Sequence, residues 1–154
     1  MRKIKYALPL LLFSVGILLA ANPFSGKWKM NQQKTKYTQG EAPKNEEIVI
    51  ADKGDQLQVT IRGTDENGKP MAVSYIIPAS GGAGQVQQGS YTGVSSKRVN
   101  DTTRDTSYTK NGKQTTAEHM VISSDGNTLT VVVKGVDSEG NPVEGTEVFD
   151  KQQQ

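Results

Sequence analysis

The stretch Leu57–Pro70, LQVTIRGTDENGKP, occurs a second time further along the chain as Leu129–Pro142, LTVVVKGVDSEGNP. The match extends backwards without a gap, so that Glu46–Pro70 and Glu118–Pro142 share ten of 25 residues. Most of the shared residues are turn glycines and alternating apolar residues, which set turns and strand faces. The repeat therefore predicts architecture, with two similar halves over 46–76 and 118–148, and indicates no chemistry by itself.

The pattern around the repeat is that of short strands joined by hairpins. Leu57, Val59 and Ile61 alternate with polar residues, as in a strand with one buried face. Asn67-Gly68 and Asn111-Gly112 predict hairpin turns, because both residue types tolerate a positive φ. We expect an all-β fold, an antiparallel up-and-down meander of eight to ten strands. Closure into a barrel is favoured because it removes exposed edges and accepts a partly polar interior.

Residues 1–21 have the layout of a secretory signal. A basic start is followed by the apolar run Ala7–Leu19 and the small residues Ala20-Ala21. The run is shorter than the ~20 residues of a spanning helix. We expect an exported protein, periplasmic or extracellular, with one β-barrel domain over 22–154 and no membrane span after cleavage. An uncleaved anchor, and cleavage after either Ala20 or Ala21, stay open alternatives.

Composition excludes several classes of function. Three of the 18 Lys and Arg residues lie in the signal, which leaves 15 basic against 16 acidic residues. A chain of this charge lacks the basic footprint of a nucleic-acid binder. The chain has no cysteine, which excludes a disulfide framework, a thiolate metal site and a cysteine nucleophile.

Other candidate sites have a simpler structural interpretation. Asp65-Glu66-Asn67-Gly68 and Asp137-Ser138-Glu139-Gly140 bring oxygen ligands together, but hairpin turns select the same residues and the spacing is not that of a calcium loop. We therefore expect turns and no metal. His119 is the sole histidine, and we expect it at the surface. Gly81–Gly84 is followed by no Lys-Ser/Thr and is predicted to be a flexible loop. No cofactor is predicted.

Gly26-Lys27-Trp28 on the first predicted strand resembles the G-x-W pattern of the calycin barrels, which include the lipocalins and the intracellular fatty-acid-binding proteins. The ending Val148-Phe149-Asp150-Lys151 is similar to that of the fatty-acid-binding group. The mature chain also resembles a family of small exported bacterial proteins with a G-x-W-K start and two G-x-D-x-x-G-x-P hairpins. The lipocalin resemblance implies that Trp28 plugs one end of the barrel, with Lys151 as its cover where lipocalins usually have arginine.

Fatty-acid-binding proteins hold a carboxylate with arginine and tyrosine inside the barrel. By this resemblance the candidate ligand-binding residues are Arg62, Tyr75, Arg98, Arg104 and Tyr108. Alternation places Arg104 and Tyr108 on one face, but the simpler interpretation, which we favour, is that this is the solvent face of an ordinary sheet, covered by the apolar stems of these side chains.

The leading hypothesis is a non-enzymatic, lipocalin-like protein that binds a small apolar or amphipathic ligand inside its barrel. The loops Asn31–Lys44 and Pro78–Tyr91 are its predicted lids. The alternative is an envelope or extracellular interaction or structural module whose barrel is filled by side chains. A hydrolase is third, since there is no G-x-S-x-G motif.

Overall fold

The computed structural model describes residues 21–136 and 140–153. The predicted signal segment, apart from Ala21, and the turn residues Asp137-Ser138-Glu139 lie outside the described residues. The described ranges form twelve strands: β1 (Gly26–Met30), β2 (Lys36–Gln39), β3 (Asn45–Asp52), β4 (Gln56–Thr64), β5 (Pro70–Pro78), β6 (Gly81–Ala83), β7 (Gln85–Gln88), β8 (Gly93–Asn100), β9 (Thr103–Lys110), β10 (Lys113–Ile122), β11 (Thr128–Val136) and β12 (Pro142–Gln152). No membrane-spanning helix is found within these two ranges.

The strands form one antiparallel sheet that curls into a barrel. Its order is β6-β8-β9-β10-β11-β12-β1-β3-β4-β5-β7, and β2 pairs with β12 beside β1. Most neighbours are joined by hairpins, and the Asn111-Gly112 turn has positive φ at both residues, as predicted. The last strand, β12, pairs with the first, β1. The predicted fold class, an all-β antiparallel meander closed as a barrel, is confirmed.

The barrel closes at a seam formed by β6 and β7. These consecutive strands pair on opposite sides, β6 with β8 and β7 with β5. Gly84 lies between them and donates its N–H to the carbonyl oxygen of Val94 over 2.8 Å. A Cβ at Gly84 would lie 2.5 Å from the carbonyl oxygen of Ile76, so the approach of the two edges requires a glycine.

Two sequence expectations are corrected here. The segment Pro78–Tyr91 was expected to be a glycine-rich lid, but β6 and β7 make most of it part of the wall, because its backbone supplies the hydrogen bonds that β5 and β8 lack. The number of strands is also higher than the expected eight to ten, for two reasons. An interruption at Gly84 separates β6 from β7, and β2 forms inside the segment Asn31–Lys44, which was expected to be a loop.

The two copies of the repeat fall on β3–β4–β5 and β10–β11–β12. The second and third strands of each copy pair in the same register, Leu57 with Ile77 and Leu129 with Phe149. The first pair differs: Ile48 is opposite Ile61, whereas Met120 is opposite Val131 and not Val133. A slip of two residues leaves every side chain on its original face, because side chains alternate with a period of two.

One end of the barrel is closed by packed apolar side chains. Trp28 is fully buried there, and its indole N–H donates to the carbonyl oxygen of Phe24 over 2.9 Å. The ammonium of Lys151 lies 4.9 Å from the centroid of the Trp28 ring, within cation–π range. Gly26 has a φ of 136°, and a Cβ there would lie 2.9 Å from Cε of Lys151. The glycine of the G-x-W pattern therefore makes room for the lysine that covers the tryptophan.

Candidate functional site

The end of the barrel opposite Trp28 contains a cavity of about 240 Å³. Its walls come from the strand ends furthest from Trp28 and from the segment Asn31–Lys44, which we call the strap. Three carboxyl groups, Glu46, Glu118 and Glu147, share this cavity with three tyrosines, Tyr37, Tyr91 and Tyr108. The strap, which was predicted to be a lid, lies at the mouth of this cavity.

The three carboxyls face inward because of strand alternation. Each glutamate precedes an apolar core residue by two positions: Glu46 precedes Ile48, and Glu118 precedes Met120. Glu147 stands in the same relation to Phe149 and is only 6% exposed. Three strands, β3, β10 and β12, therefore direct acidic side chains into one half of the interior.

Glu118 is connected to the buried core by a chain of hydroxyl groups. The Tyr108 hydroxyl donates to Oε2 of Glu118 over 3.1 Å. It also lies 2.9 Å from the hydroxyl of Tyr75, and the two rings meet edge to face. A hydroxyl group has one hydrogen to donate, and that of Tyr108 is used in the hydrogen bond to Glu118. In the contact between the two tyrosines, the Tyr75 hydroxyl is therefore the donor.

Glu147 is connected to the strap. The Tyr37 hydroxyl donates to Oε1 of Glu147 over 2.5 Å. In the ladder between β2 and β12, Tyr37 is opposite Gly145. A side chain at Gly145 would overlap the Tyr37 ring, so this glycine is what allows the ring to lie against β12.

Burial shifts the pKa values of all three glutamates upward. Burial, with a contribution from the charge of Glu147, raises the pKa of Glu118 to about 8, although the Tyr108 hydrogen bond opposes the shift. Burial also raises the pKa of Glu147 to about 7 against the opposing hydrogen bond from Tyr37. Burial and the other two carboxylates raise the pKa of Glu46 well above its ordinary value. At neutral pH the cluster therefore retains protons that exposed glutamates would have lost.

The remaining cavity wall is largely apolar. Aliphatic and thioether side chains line the same cavity as the carboxyls: Ile61, Met71, Val73, Val133, Val136 and Val143. The Tyr91 ring packs on the Tyr108 ring with centroids 4.7 Å apart and fills the wall near the seam. The cavity thus combines carboxyl groups with a largely apolar lining, a combination that suits an amphipathic molecule.

The predicted ligand-binding residues are dispersed, and only Tyr108 lines the cavity. Tyr75 is buried behind it. Arg62 is exposed, because on β4 it alternates with the inward Ile61. Arg98 is also exposed, at the closed-end rim of β8, where it pairs with Asp101. Neither Arg62 nor Arg98 therefore reaches the interior of the barrel.

Arg104 faces inward, but its hydrogen bonds are made at the closed end of the barrel. It is 2% exposed, and it donates to Oγ of Ser96 over 2.9 Å and to the carbonyl oxygen of Ala79 over 2.6 Å. Its Nε is buried without a hydrogen-bond partner in the described part of the chain. Arg104 and Tyr108 do share a face, as alternation predicted. Four residues of strand separate them by about 13 Å, however, so they do not form a joint carboxylate site.

The other candidate groups lie outside the cavity or at its rim. His119 is exposed on the outer face, with Nδ1 2.6 Å from Oδ1 of Asp105 on the neighbouring strand. Asp65 accepts the backbone N–H groups of Asn67 and Lys69, as a turn residue does. Within the described ranges, no three His, Cys, Asp or Glu side chains are grouped so that they could hold a metal ion.

Sequence reasoning did not identify the three glutamates or Tyr37 as site residues. A signal for two of them existed, since Glu46 and Glu118 are identical partners in the repeat and lie in phase with buried apolar residues. Glu147 occupies the repeat position of Tyr75. Nothing in the sequence indicates that Tyr37 contacts Glu147.

No family model and no curated protein matches the chain. Among solved structures, the chain is similar to the redesigned β-barrel mFAP1 in a complex with DFHBI, at 13% identity and a TM-score of 0.42, over 86% of this chain and 98% of that one. It is also similar to lobster apocrustacyanin A1, at 12% identity and a TM-score of 0.46, over 88% of this chain and 64% of that one. At these values the likeness says nothing about what this chain binds.

Proposed function

We propose that this protein binds a small amphipathic molecule in the cavity at the open end of the barrel. The observation that carries the proposal is the pairing of an apolar wall with three inward carboxyls around about 240 Å³ of space. This volume lies just below the common range for ligand pockets, so a compact ligand is expected.

The distribution of packing supports binding over the alternative of a side-chain-filled barrel. The closed half, around Trp28, Leu129 and Phe149, is solid, and these three side chains are fully buried. The open half keeps its space although Met71, Val73 and Val143 border it and larger residues there would fill it. A barrel selected only for stability has no physical reason to bury three carboxyls beside unfilled space.

We also propose that binding takes place after export and involves no catalysis. The proposal of export rests on residues 1–21 of the sequence. If the signal is removed after Ala21, the new α-amino group is that of Asn22, whose nitrogen lies 3.3 Å from Oδ2 of Asp52. Removal of the signal is tested by the intact mass of protein recovered from the envelope or the medium. A recovered chain that begins at Met1 would contradict this removal.

Binding is tested with 1-aminoanthracene, an apolar fluorophore that brightens in a dry pocket. We expect saturable 1:1 binding to the wild-type protein and loss of binding in Val133→Phe, which fills the cavity. Val132→Phe is the matched control, because Val132 is 43% exposed on the outer face of the same strand. Thermal melts establish that both variants fold. Equal binding by the two variants, or no binding by the wild type, would overturn the proposal.

A further inference from the structure

We infer that the polar end of the ligand is a protonated amine, held among Glu46, Glu118 and Glu147. This inference rests on the proposed function, because it names the ligand class of the same cavity. Fatty-acid-binding barrels, by contrast, hold a carboxylate, which needs a cation in the pocket.

The charges that line the cavity have one sign. Beside the three inward glutamates, the rim carries Glu41, Asp65 and Glu66, and none of the described lining residues is Lys, Arg or His. The buried cation of the interior, Arg104, makes its hydrogen bonds at the closed end, with Ser96 and Ala79. A carboxylate ligand would therefore find no cation in the lining and would be repelled by every carboxyl that is ionised, whereas an ammonium would be attracted by the same groups.

Acceptor capacity is left unused at the carboxyls. Oε1 of Glu147 accepts the Tyr37 hydrogen bond, and Oε2 of Glu118 accepts that of Tyr108. No further hydrogen bond within the described residues engages Oε2 of Glu147 or either oxygen of Glu46. Within the described residues, the fully enclosed side-chain polar atom without a partner is Nε of Arg104, so these carboxyl oxygens are open to the cavity and accessible to a ligand. An ammonium group carries three donors, which suits these free oxygens.

The rest of the cavity suits the body of an alkyl or aryl amine. Tyr91 and Tyr108 line the same cavity as the carboxyls, and an aromatic face attracts a cation at short range. The apolar residues of the lining, such as Met71 and Val73, offer a dry surface to a short hydrocarbon chain. A primary amine with a chain of about six carbons matches a cavity that is smaller than a drug-sized pocket.

Binding an ammonium favours the ionised carboxyls and so releases protons from the cluster. An alkylamine stays protonated to a pH near 10, as lysine does. The groups that face the cluster are the phenols Tyr37, Tyr91 and Tyr108 and the rim acids Glu41, Asp65 and Glu66, none of which supplies positive charge. Affinity for the amine should therefore rise as the pH increases from 5.5 to 8.5, and proton release should be greatest near pH 7.

The test compares hexylamine, hexanol and hexanoate, which share a chain and differ in their polar end. Isothermal titration calorimetry of the full purified chain, in two buffers of different ionisation enthalpy, gives affinity and proton release together. We expect hexylamine to bind at least tenfold more tightly than hexanol, with no binding of hexanoate. Glu147→Gln and Glu118→Gln should each reduce amine affinity at pH 8 about tenfold and diminish proton release. The control Glu47→Gln alters a neighbouring acid whose carboxylate points outward to Lys27, and it should leave amine binding unchanged.

The outcomes separate the two proposals. If hexanol or hexanoate binds as tightly as hexylamine, or if 1-aminoanthracene binds and none of the three does, the amine inference is overturned while the binding function stands. If neither the fluorophore nor any of the three compounds binds, both are overturned. Equal effects of Glu47→Gln and Glu147→Gln would also contradict the inference, since one carboxyl lies outside the barrel.

Discussion

Tyr37 and Glu147 lie 110 residues apart in the chain, yet the hydroxyl of one is 2.5 Å from Oε1 of the other. This hydrogen bond connects the strap to the buried carboxyl cluster. Two further hydrogen bonds join the strap to the backbone of β12: Thr35 accepts the N–H of Val148, and Thr38 donates to the carbonyl oxygen of Glu144. The strap at the mouth of the cavity is therefore coupled, through Tyr37, to the ionisation state of Glu147.

We expect Tyr37→Phe to lower the free energy of unfolding by about 1–2 kcal/mol, because it leaves a buried carboxyl oxygen without its donor. It should also raise the pKa of Glu147 further, since the Tyr37 hydrogen bond now favours the ionised form. Urea denaturation at pH 6 and pH 8 measures both effects. Thr38→Ala removes an exposed hydrogen bond on the same strand and should cost less than about 0.5 kcal/mol. Equal losses for the two variants would show that the Tyr37 bond has no special role.

The protein should be more stable in mild acid than in mild alkali. Between pH 4.5 and about 8, folded Glu118 keeps a proton that the unfolded chain has lost, and Glu147 behaves likewise up to about pH 7. The folded state then binds more protons than the unfolded state, so stability falls as pH rises through this window. We expect the melting temperature at pH 8.5 to lie at least about 5 °C below that at pH 5.5.

Variants assign this pH dependence to the cluster. Glu118→Gln resembles the protonated carboxyl and should reduce the difference between the two melting temperatures, whereas Glu47→Gln on the outer face should not. Calorimetry at both pH values gives the comparison. A wild-type protein whose melting temperature is unchanged or higher at pH 8.5 would contradict the raised pKa values.

Lys151→Met removes the cation that covers the Trp28 ring, and we expect a loss of about 0.5–1 kcal/mol in the free energy of unfolding. The chain has one tryptophan, so its fluorescence reports this end of the barrel directly during denaturation. Lys29→Met is the matched control, because Lys29 lies exposed on the same strand as Trp28. A control that is as destabilising as Lys151→Met would mean that the charge over the ring contributes nothing.

Gly84→Ala should destabilise the barrel by about 2–3 kcal/mol, because the added Cβ would lie 2.5 Å and 2.6 Å from atoms of Ile76 and Ile77 at the seam. Gly112→Ala provides the contrast. Its Cβ would meet nothing within 4 Å, so its cost of about 1 kcal/mol comes from the positive φ alone. Chemical denaturation of both variants tests the difference, and a smaller loss for Gly84→Ala than for Gly112→Ala would refute the account of the seam.

Much of the wall could be predicted from the chain alone. Alternation along Leu57–Ile61 and hairpin signals such as Asn111-Gly112 are local, and the structure follows them. The segment Pro78–Tyr91 was harder to predict, since its strands are short, glycine-rich and paired with partners on both sides. In such a segment the backbone hydrogen bonds decide the structure, and they leave little trace in side-chain pattern.

By itself, the sequence determined the all-β class, the hairpins and the alternation along Leu57–Ile61, because these depend on residues that are close together in the chain. Only the tertiary structure decided what the inward residues meet. It brought Glu46, Glu118 and Glu147 into one cavity, sent Arg104 to the closed end and placed Tyr37 over Gly145. Such contacts across a barrel depend on the number of strands and on their register, which no local pattern specifies.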